Sequence, residues 1–303
     1  MNSKGTTAVI ALVIAQIFWG TSYVLSEYAL HVFSPATLVT IRLTIAALLL
    51  GFITVATGNL VRIPWRHYRW FLVAALCEPF IYFLCEVLAL QRVSSMVTSV
   101  ILAFIPLITP FLTYFFIKEK ITVPAILGAI ISIVGVMMVI IDKGGEVNVN
   151  MVGVILLVIA MIVAIGYALI IRKVPDEYNT LCVVFYMFCT ALIYFVPTSL
   201  ITERTEIAGV FAMFREDPET VMNALYAIIC LAITASCIAF LFYSYGVRAL
   251  GPNKASVYNS IQPAITALFA WMFLSQEMTC MKVVGIAIVV IGLFVSQINT
   301  DKI

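Results

Sequence analysis

One segment of the chain occurs twice. In the first copy Ala89-Leu90 is followed by Ser99, Pro106, Glu119, Gly128 and Gly135; in the second Ala249-Leu250 is followed by Ser256, Pro263, Glu277, Gly285 and Gly292. In both copies the Ser precedes the Pro by seven residues and the glycines stand seven apart; the Glu follows the Pro by 13 residues in one copy and 14 in the other. An apolar run ends near each Glu and another begins beyond it. An internal repeat constrains architecture more than any local propensity, because it makes one structural unit recur along the chain. The chain therefore reads as two related halves, 7–141 and 151–298, hinged through the polar stretch 142–150.

The halves are too apolar to face water. Of 303 residues 63% are hydrophobic and only 11% charged, against roughly a quarter charged in soluble domains. A spanning helix needs about 20 mostly apolar residues. Ten segments qualify: 7–30, 35–57, 70–90, 95–116, 123–141, 151–171, 180–201, 222–245, 254–274 and 281–298. The fold class is thus all-α, a polytopic membrane protein of ten transmembrane helices in two five-helix repeats. The first run, behind Lys4, is longer than a signal-peptide core and lacks a small-residue cleavage site, so it reads as a retained helix. The longest loop, 202–221, has room for a short amphipathic surface helix over 208–214.

Lys and Arg in short loops set orientation. With the N-terminus inside, 11 of them fall on the inner side and five on the outer, and Arg42 lies within a helix. Both termini are expected in the cytoplasm, in a plasma (inner) membrane. Five helices per half is an odd number, so the second half must enter the bilayer upside down. Glu119 then falls inside, between Lys118 and Lys120, and its counterpart Glu277 outside, between Gln276 and Met278. Inverted repeats are a common plan of secondary transporters, with the solute near the midplane between the halves.

Four charges do not sit at helix ends: Glu27, Arg42, Glu78 and Glu86. An ionisable residue at a helix centre costs about 2.5–3.5 kcal/mol on insertion scales, so it marks a wet cavity or a buried partner. On the first helix Gln16, Trp19, Gly20, Tyr23 and Glu27 share one face. That stripe lines a cavity, or else Gly20 packs tightly and Gln16 bonds a neighbour. On the third helix Glu78, Tyr82 and Glu86 follow at four-residue steps. Pro79 frees a carbonyl beside Glu78 and permits a kink; a kinked helix with a midplane carboxylate suits a proton or cation site. Arg42 is expected to pair with Glu86 or Glu27, as an outer gate or as scaffold, because a buried Arg without a carboxylate is costly.

The ninth helix carries Tyr258, Asn259, Gln262 and Thr266 around Pro263, and its repeat partner carries Ser99. Hydrogen-bonding groups on a proline-weakened helix suit a reversible polar ligand site. Tyr167, Tyr186 and Tyr243 are weaker candidates. The paired glycines read as close helix contacts, and Glu119 and Glu277 as carboxylates at helix starts. The seven cysteines form no CxxC pair and the two histidines stand alone, so no metal or cofactor signature is present. A net charge of +2 without a basic block implies no nucleic-acid partner; a small solute and the lipid bilayer are the expected ones.

Trp19-Gly20, Pro35, Arg42 and the Pro–Glu–Gly–Gly pattern closing each half resemble EamA-domain proteins of the drug/metabolite transporter superfamily. The resemblance covers about 7–297 and departs in the second half, where Ile165-Gly166 replaces Trp-Gly and no Arg matches Arg42. It implies a ten-helix exporter of amino acids, related metabolites or drugs. Its central cavity would be lined by the first, third, fourth, sixth, eighth and ninth helices. Three embedded Glu against one Arg argue for a zwitterionic or cationic solute. The rival readings are a solute channel or membrane sensor, and an intramembrane enzyme. The enzyme is disfavoured because Asp142, Asp176, Asp217 and Asp301 all lie in loops or the tail.

Overall fold

In the computed structural model, residues 3–109, 123–140, 149–170, 174–175, 177–250, 255 and 257–296 are described. Among them every regular element is helical. Five helices are long and apolar enough to cross a membrane: Gly5–Ala29, Pro35–Ala56, Trp65–Leu90, Thr180–Thr202 and Pro218–Leu250. Five shorter apolar helices, Ser95–Thr109, Ile126–Val139, Met151–Tyr167, Gln262–Leu274 and Cys280–Val295, occupy the other expected positions. The chain is a multi-pass membrane protein.

Local chemistry sets several boundaries. Helix α1 is Ser3–Ala29 and α2 is Pro35–Ala56. Pro35 stands at the start of α2, where its missing N–H is no loss. The third span begins at α3, Trp65–Ala75, five residues before the expected start. It passes through an irregular turn, Leu76–Ile81, and resumes as α4, Tyr82–Leu90. The break centres on Glu78, whose backbone is extended (φ −143°, ψ 122°), the conformation that a following proline favours. The Glu78–Pro79 peptide bond is cis. Helix α5, Ser95–Leu102, is capped by the Ser94 hydroxyl, which accepts from Val97 N.

Then follow α6 (Val123–Ile140), α7 (Met151–Ile170) and α8 (Thr180–Thr202), the last capped by Asn179. The surface helix α9 is longer than expected, Arg204–Glu216 rather than 208–214, and none of its residues is buried. Helix α10, Pro218–Leu231, is capped by Asp217. It continues through a π-helical stretch, Ala232–Ala239, into α11, Phe240–Leu250. A 3-10 turn, Val257–Ile261, leads into α12, Gln262–Leu274, and α13 is Cys280–Ser296. The two irregular stretches fall in the third helix of each half.

Two pairs of helices that the repeat makes equivalent pack against each other, running in opposite directions. Helices α6 and α13 meet backbone to backbone through their glycines. A Cβ on Gly135 would lie 2.6 Å from Gly285 O, and one on Gly292 would lie 2.7 Å from Gly128 O. Higher numbers on one helix face lower numbers on the other. Ser132 Oγ adds a hydrogen bond to Val289 O at 3.3 Å. Helices α2 and α8 are tied at both ends. At one end Glu203, just past α8, accepts from Ala36 N (2.8 Å), Thr37 N (2.7 Å) and the Ser34 (2.7 Å) and Thr37 (2.9 Å) hydroxyls, capping α2 from across the fold. At the other, Asn179 Nδ2 donates to Asn59 Oδ1 at 3.0 Å.

Helix α1 runs through the middle. Gly20 lets α12 approach: a Cβ there would sit 2.8 Å from that of Ile265, and Thr266 Oγ1 donates to Gly20 O at 2.7 Å. Gly246 of α11 packs on Leu12. The first half's Glu119 and the second half's Ser256 lie outside the described residues.

Candidate functional site

The helices enclose a cavity of about 280 Å³ around the middle of α1. Eight of the sequence-nominated residues line it: Trp19 and Tyr23 from α1, Arg42 from α2, Glu78, Tyr82 and Glu86 from the third span, and Asn259 and Gln262 from around Pro263. Tyr167 and Tyr243 join them. Glu78 sits in the break between α3 and α4, midway along the 26-residue span. The proline that interrupts the helix there is what sets its carboxyl against open space.

Arg42 is only 1% exposed. Its Nε donates to Ser236 Oγ at 2.7 Å, its guanidinium carbon lies 4.5 Å from the Phe83 ring centroid, and its Nη1 has no hydrogen-bond partner. Glu86, 3% exposed, attracts Arg42 electrostatically without a hydrogen bond between them, and its Oε1 is unpartnered. The expected pairing of Arg42 with Glu27 does not form. The Glu27 carboxylate accepts from Ser95 N at 2.7 Å and from Gln276 Nε2, which is 3.0 Å from each of its oxygens. Gln276 Nε2 also lies 3.1 Å from Ser95 Oγ. This cluster ties the end of α1 to the start of α5 and to the loop after α12, away from the cavity.

Gln16, Ser99 and Tyr258, with Tyr186 and Thr266, also stand outside the cavity lining. Gln16 is buried and accepts from Gln262 Nε2, while Gln262 Oε1 accepts from Tyr23 Oη at 2.9 Å. The first-helix stripe is therefore divided: Trp19 and Tyr23 face the cavity, Gln16 and Gly20 bind α12, and Glu27 fastens one end. Ser99 is fully buried and its hydroxyl turns back to Met96 O at 2.9 Å. Tyr258 is half-buried beside the lining residue Asn259.

The π-helical stretch is what the residue pattern did not reveal. It supplies Ser236 to Arg42, and its Ala235 carbonyl accepts from Trp19 Nε1 at 3.0 Å. Such stretches often occur at functional sites because they misalign the usual backbone bonds. The short polar run Thr234-Ala235-Ser236 in an apolar segment was the available signal. Aromatic walls complete the cavity: the Trp19 ring lies 4.8 Å from Tyr243 and 5.5 Å from Phe240. Along the bundle the cavity reaches Val174, Thr180 and Arg248, at the helix ends on the side expected to face the cytoplasm. Arg248 is held there by Tyr178 O at 2.7 Å and Thr180 Oγ1 at 3.2 Å. Among the described residues no cluster of three His, Cys, Asp or Glu side chains is arranged to hold a metal.

The model of the EamA-like transporter family matches the chain twice, at 6–141 and 151–297. The chain belongs to this family. Several of its relatives are named as transporters. An uncharacterised transporter of Archaeoglobus fulgidus is 23% identical over 94% of this chain and 97% of its own length. The Bacillus subtilis transporter YcxC is 23% identical over 100% of this chain and 96% of its own. An S-adenosylmethionine/S-adenosylhomocysteine transporter of Chlamydia muridarum is 21% identical over 94% of this chain and 90% of its own. A crystal structure with 16% identity superposes with a TM-score of 0.71 over 98% of both chains. That likeness speaks to the fold alone.

Proposed function

We propose that this EamA-like protein is a secondary or facilitative carrier that moves small amphipathic metabolites outward across the plasma membrane by alternating access. The solutes are amino acids or related zwitterionic and cationic compounds, drugs among them. The single observation that carries the reading is a membrane-embedded cavity bearing Glu78, Glu86 and Arg42 among aromatic walls. Embedded charges survive where they face water or a polar ligand. The volume, about 280 Å³, falls just below the usual 300–1,000 Å³ range of small-molecule sites, which suits a metabolite rather than a polymer. One relative is named for carrying S-adenosylmethionine, a molecule with an amino-acid head and a cationic sulfur.

Inverted insertion of the halves supports alternating access. If α6 and α13 are equivalent, the Gly135–Gly285 contact is what two-fold symmetry requires beside a Gly128–Gly292 contact. Rocking one half on the other about that seam exposes the cavity first to one side and then to the other. In the state described here the cavity extends to Arg248, and the Glu27–Gln276–Ser95 cluster fastens the opposite end. With both termini cytoplasmic, the orientation that the Lys and Arg distribution favours, this cavity faces the cytoplasm, as an exporter awaiting solute does. Glu78, in the helix break, is the group to carry the proton that is exchanged for the solute.

The test is solute flux in proteoliposomes across a panel of amino acids and quaternary ammonium compounds. A carrier saturates and is accelerated by solute on the far side. Flux that is linear in concentration without counterflow would mean a channel.

A further inference from the structure

We propose that Arg42 and Glu86 together form a subsite for the head group of an α-amino acid, Arg42 taking the carboxylate and Glu86 the ammonium. This deepens the carrier reading above and rests on it. The juxtaposition that points to it is one buried donor and one buried acceptor, both without a partner, on two residues that line the same cavity. Arg42 Nη1 and Glu86 Oε1 have no hydrogen-bond partner, although the two side chains are 1% and 3% exposed. Both line the cavity. Asn259 Oδ1, on a residue 6% exposed, is a further open acceptor on its wall.

Burying a polar group without a partner costs about 1–3 kcal/mol, and more when it is charged. The guanidinium is already fixed by the Ser236 hydroxyl at one edge and by the Phe83 ring at its face. What remains is a buried Nη1 that no acceptor of the protein satisfies. A carboxylate fits it, by a charge-assisted bond of the strongest ordinary kind. The Glu86 oxygen needs a donor, and an ammonium on the neighbouring carbon of the same ligand provides it. A ligand with only one charge would leave one of the two atoms buried and unpaired, which is the usual source of strong discrimination against an analogue. Trp19, Phe240 and Tyr243, packed edge to face, offer an apolar wall for the side group.

The probes are L-phenylalanine, 2-phenylethylamine, which lacks the carboxylate, and 3-phenylpropanoate, which lacks the ammonium. Binding to the purified full-length protein is read by calorimetry or by thermal shift. Phenylalanine is expected to bind at least about tenfold tighter than either analogue. Arg42→Gln should abolish the preference for phenylalanine over phenylethylamine, and Glu86→Gln the preference over phenylpropanoate. Each variant should leave the other preference in place. Circular dichroism and unfolding midpoints report whether the variants fold, and if either does not, the analogue series on the natural protein decides alone. Equal binding of phenylalanine and one of its singly charged analogues overturns the subsite, as does failure of all three probes to bind. The carrier reading is judged separately, by counterflow across the wider solute panel.

Discussion

Gly135 and Gly285 face each other so closely that a Cβ on either would fall within 2.7 Å of the other's carbonyl oxygen. The contact is backbone on backbone, so no side chain can turn aside to admit a methyl group. Alanine is ordinarily the better helix former by about 1 kcal/mol. Here overpacking, typically about 1–3 kcal/mol, opposes that gain. Gly135→Ala and Gly285→Ala should each lower the unfolding midpoint in detergent. The double variant should lose less than the sum, because one separation relieves both. Gly166→Ala is the control: nothing lies within 4 Å of its Cβ position, and it should be neutral or stabilising by up to about 1 kcal/mol.

Glu203 caps α2 from across the fold. Its carboxylate satisfies two backbone N–H groups and two hydroxyls at the start of α2. Charge-assisted bonds of this kind contribute about 1.5–3 kcal/mol each before the cost of desolvation. Glu203→Ala should therefore destabilise by about 2 kcal/mol or more, and Glu203→Gln, which keeps one acceptor, by less. Chemical or thermal unfolding of the two variants measures the difference. Equal stability of all three proteins would remove the cap from the account.

The Glu27 cluster should behave as a latch. In a cysteine-free background, Ser22→Cys places a thiol on the cavity wall. A membrane-impermeant thiol reagent should reach it from the Arg248 side of oriented vesicles and scarcely at all from the Glu27 side. Adding Glu27→Ala removes the acceptor for Ser95 N and Gln276 Nε2, and labelling from the Glu27 side should rise several-fold. Unchanged labelling would make Glu27 scaffold only.

Glu78→Gln separates coupling from binding. A neutral amide keeps the size and the hydrogen-bonding capacity of the carboxyl but carries no exchangeable proton charge. Uptake driven by a pH gradient should be lost, while solute exchange at equal pH persists. If both are retained, Glu78 has no part in coupling.

Much of this was legible in the residues. Apolar runs placed most of the helices to within about five residues, although the ninth expected segment, 254–274, becomes an α-helix only at Gln262, after a 3-10 turn. Pro79 foretold the break at Glu78. A helical period finds residues on a common face, but it does not say what that face meets. Gln16 met Gln262 rather than the cavity, and Glu27 met Gln276 rather than Arg42. Arg42 found Ser236, a residue 194 positions away in an uncharged stretch, Ala232–Ala239. Glu203 read as one more loop carboxylate, because its partners lie more than 160 residues earlier. Partners so distant in sequence leave no local pattern; only the fold joins them.

Counterflow is the most direct trial of the carrier account. Vesicles containing the protein are loaded with a high concentration of unlabelled solute and diluted into a trace of labelled solute, with no pH or ion gradient, and entry of label is followed. Entry should overshoot its equilibrium level transiently and saturate with concentration, as expected of a single site that reorients only between two faces. Entry that rises linearly and never overshoots, for every solute that permeates, would contradict the account.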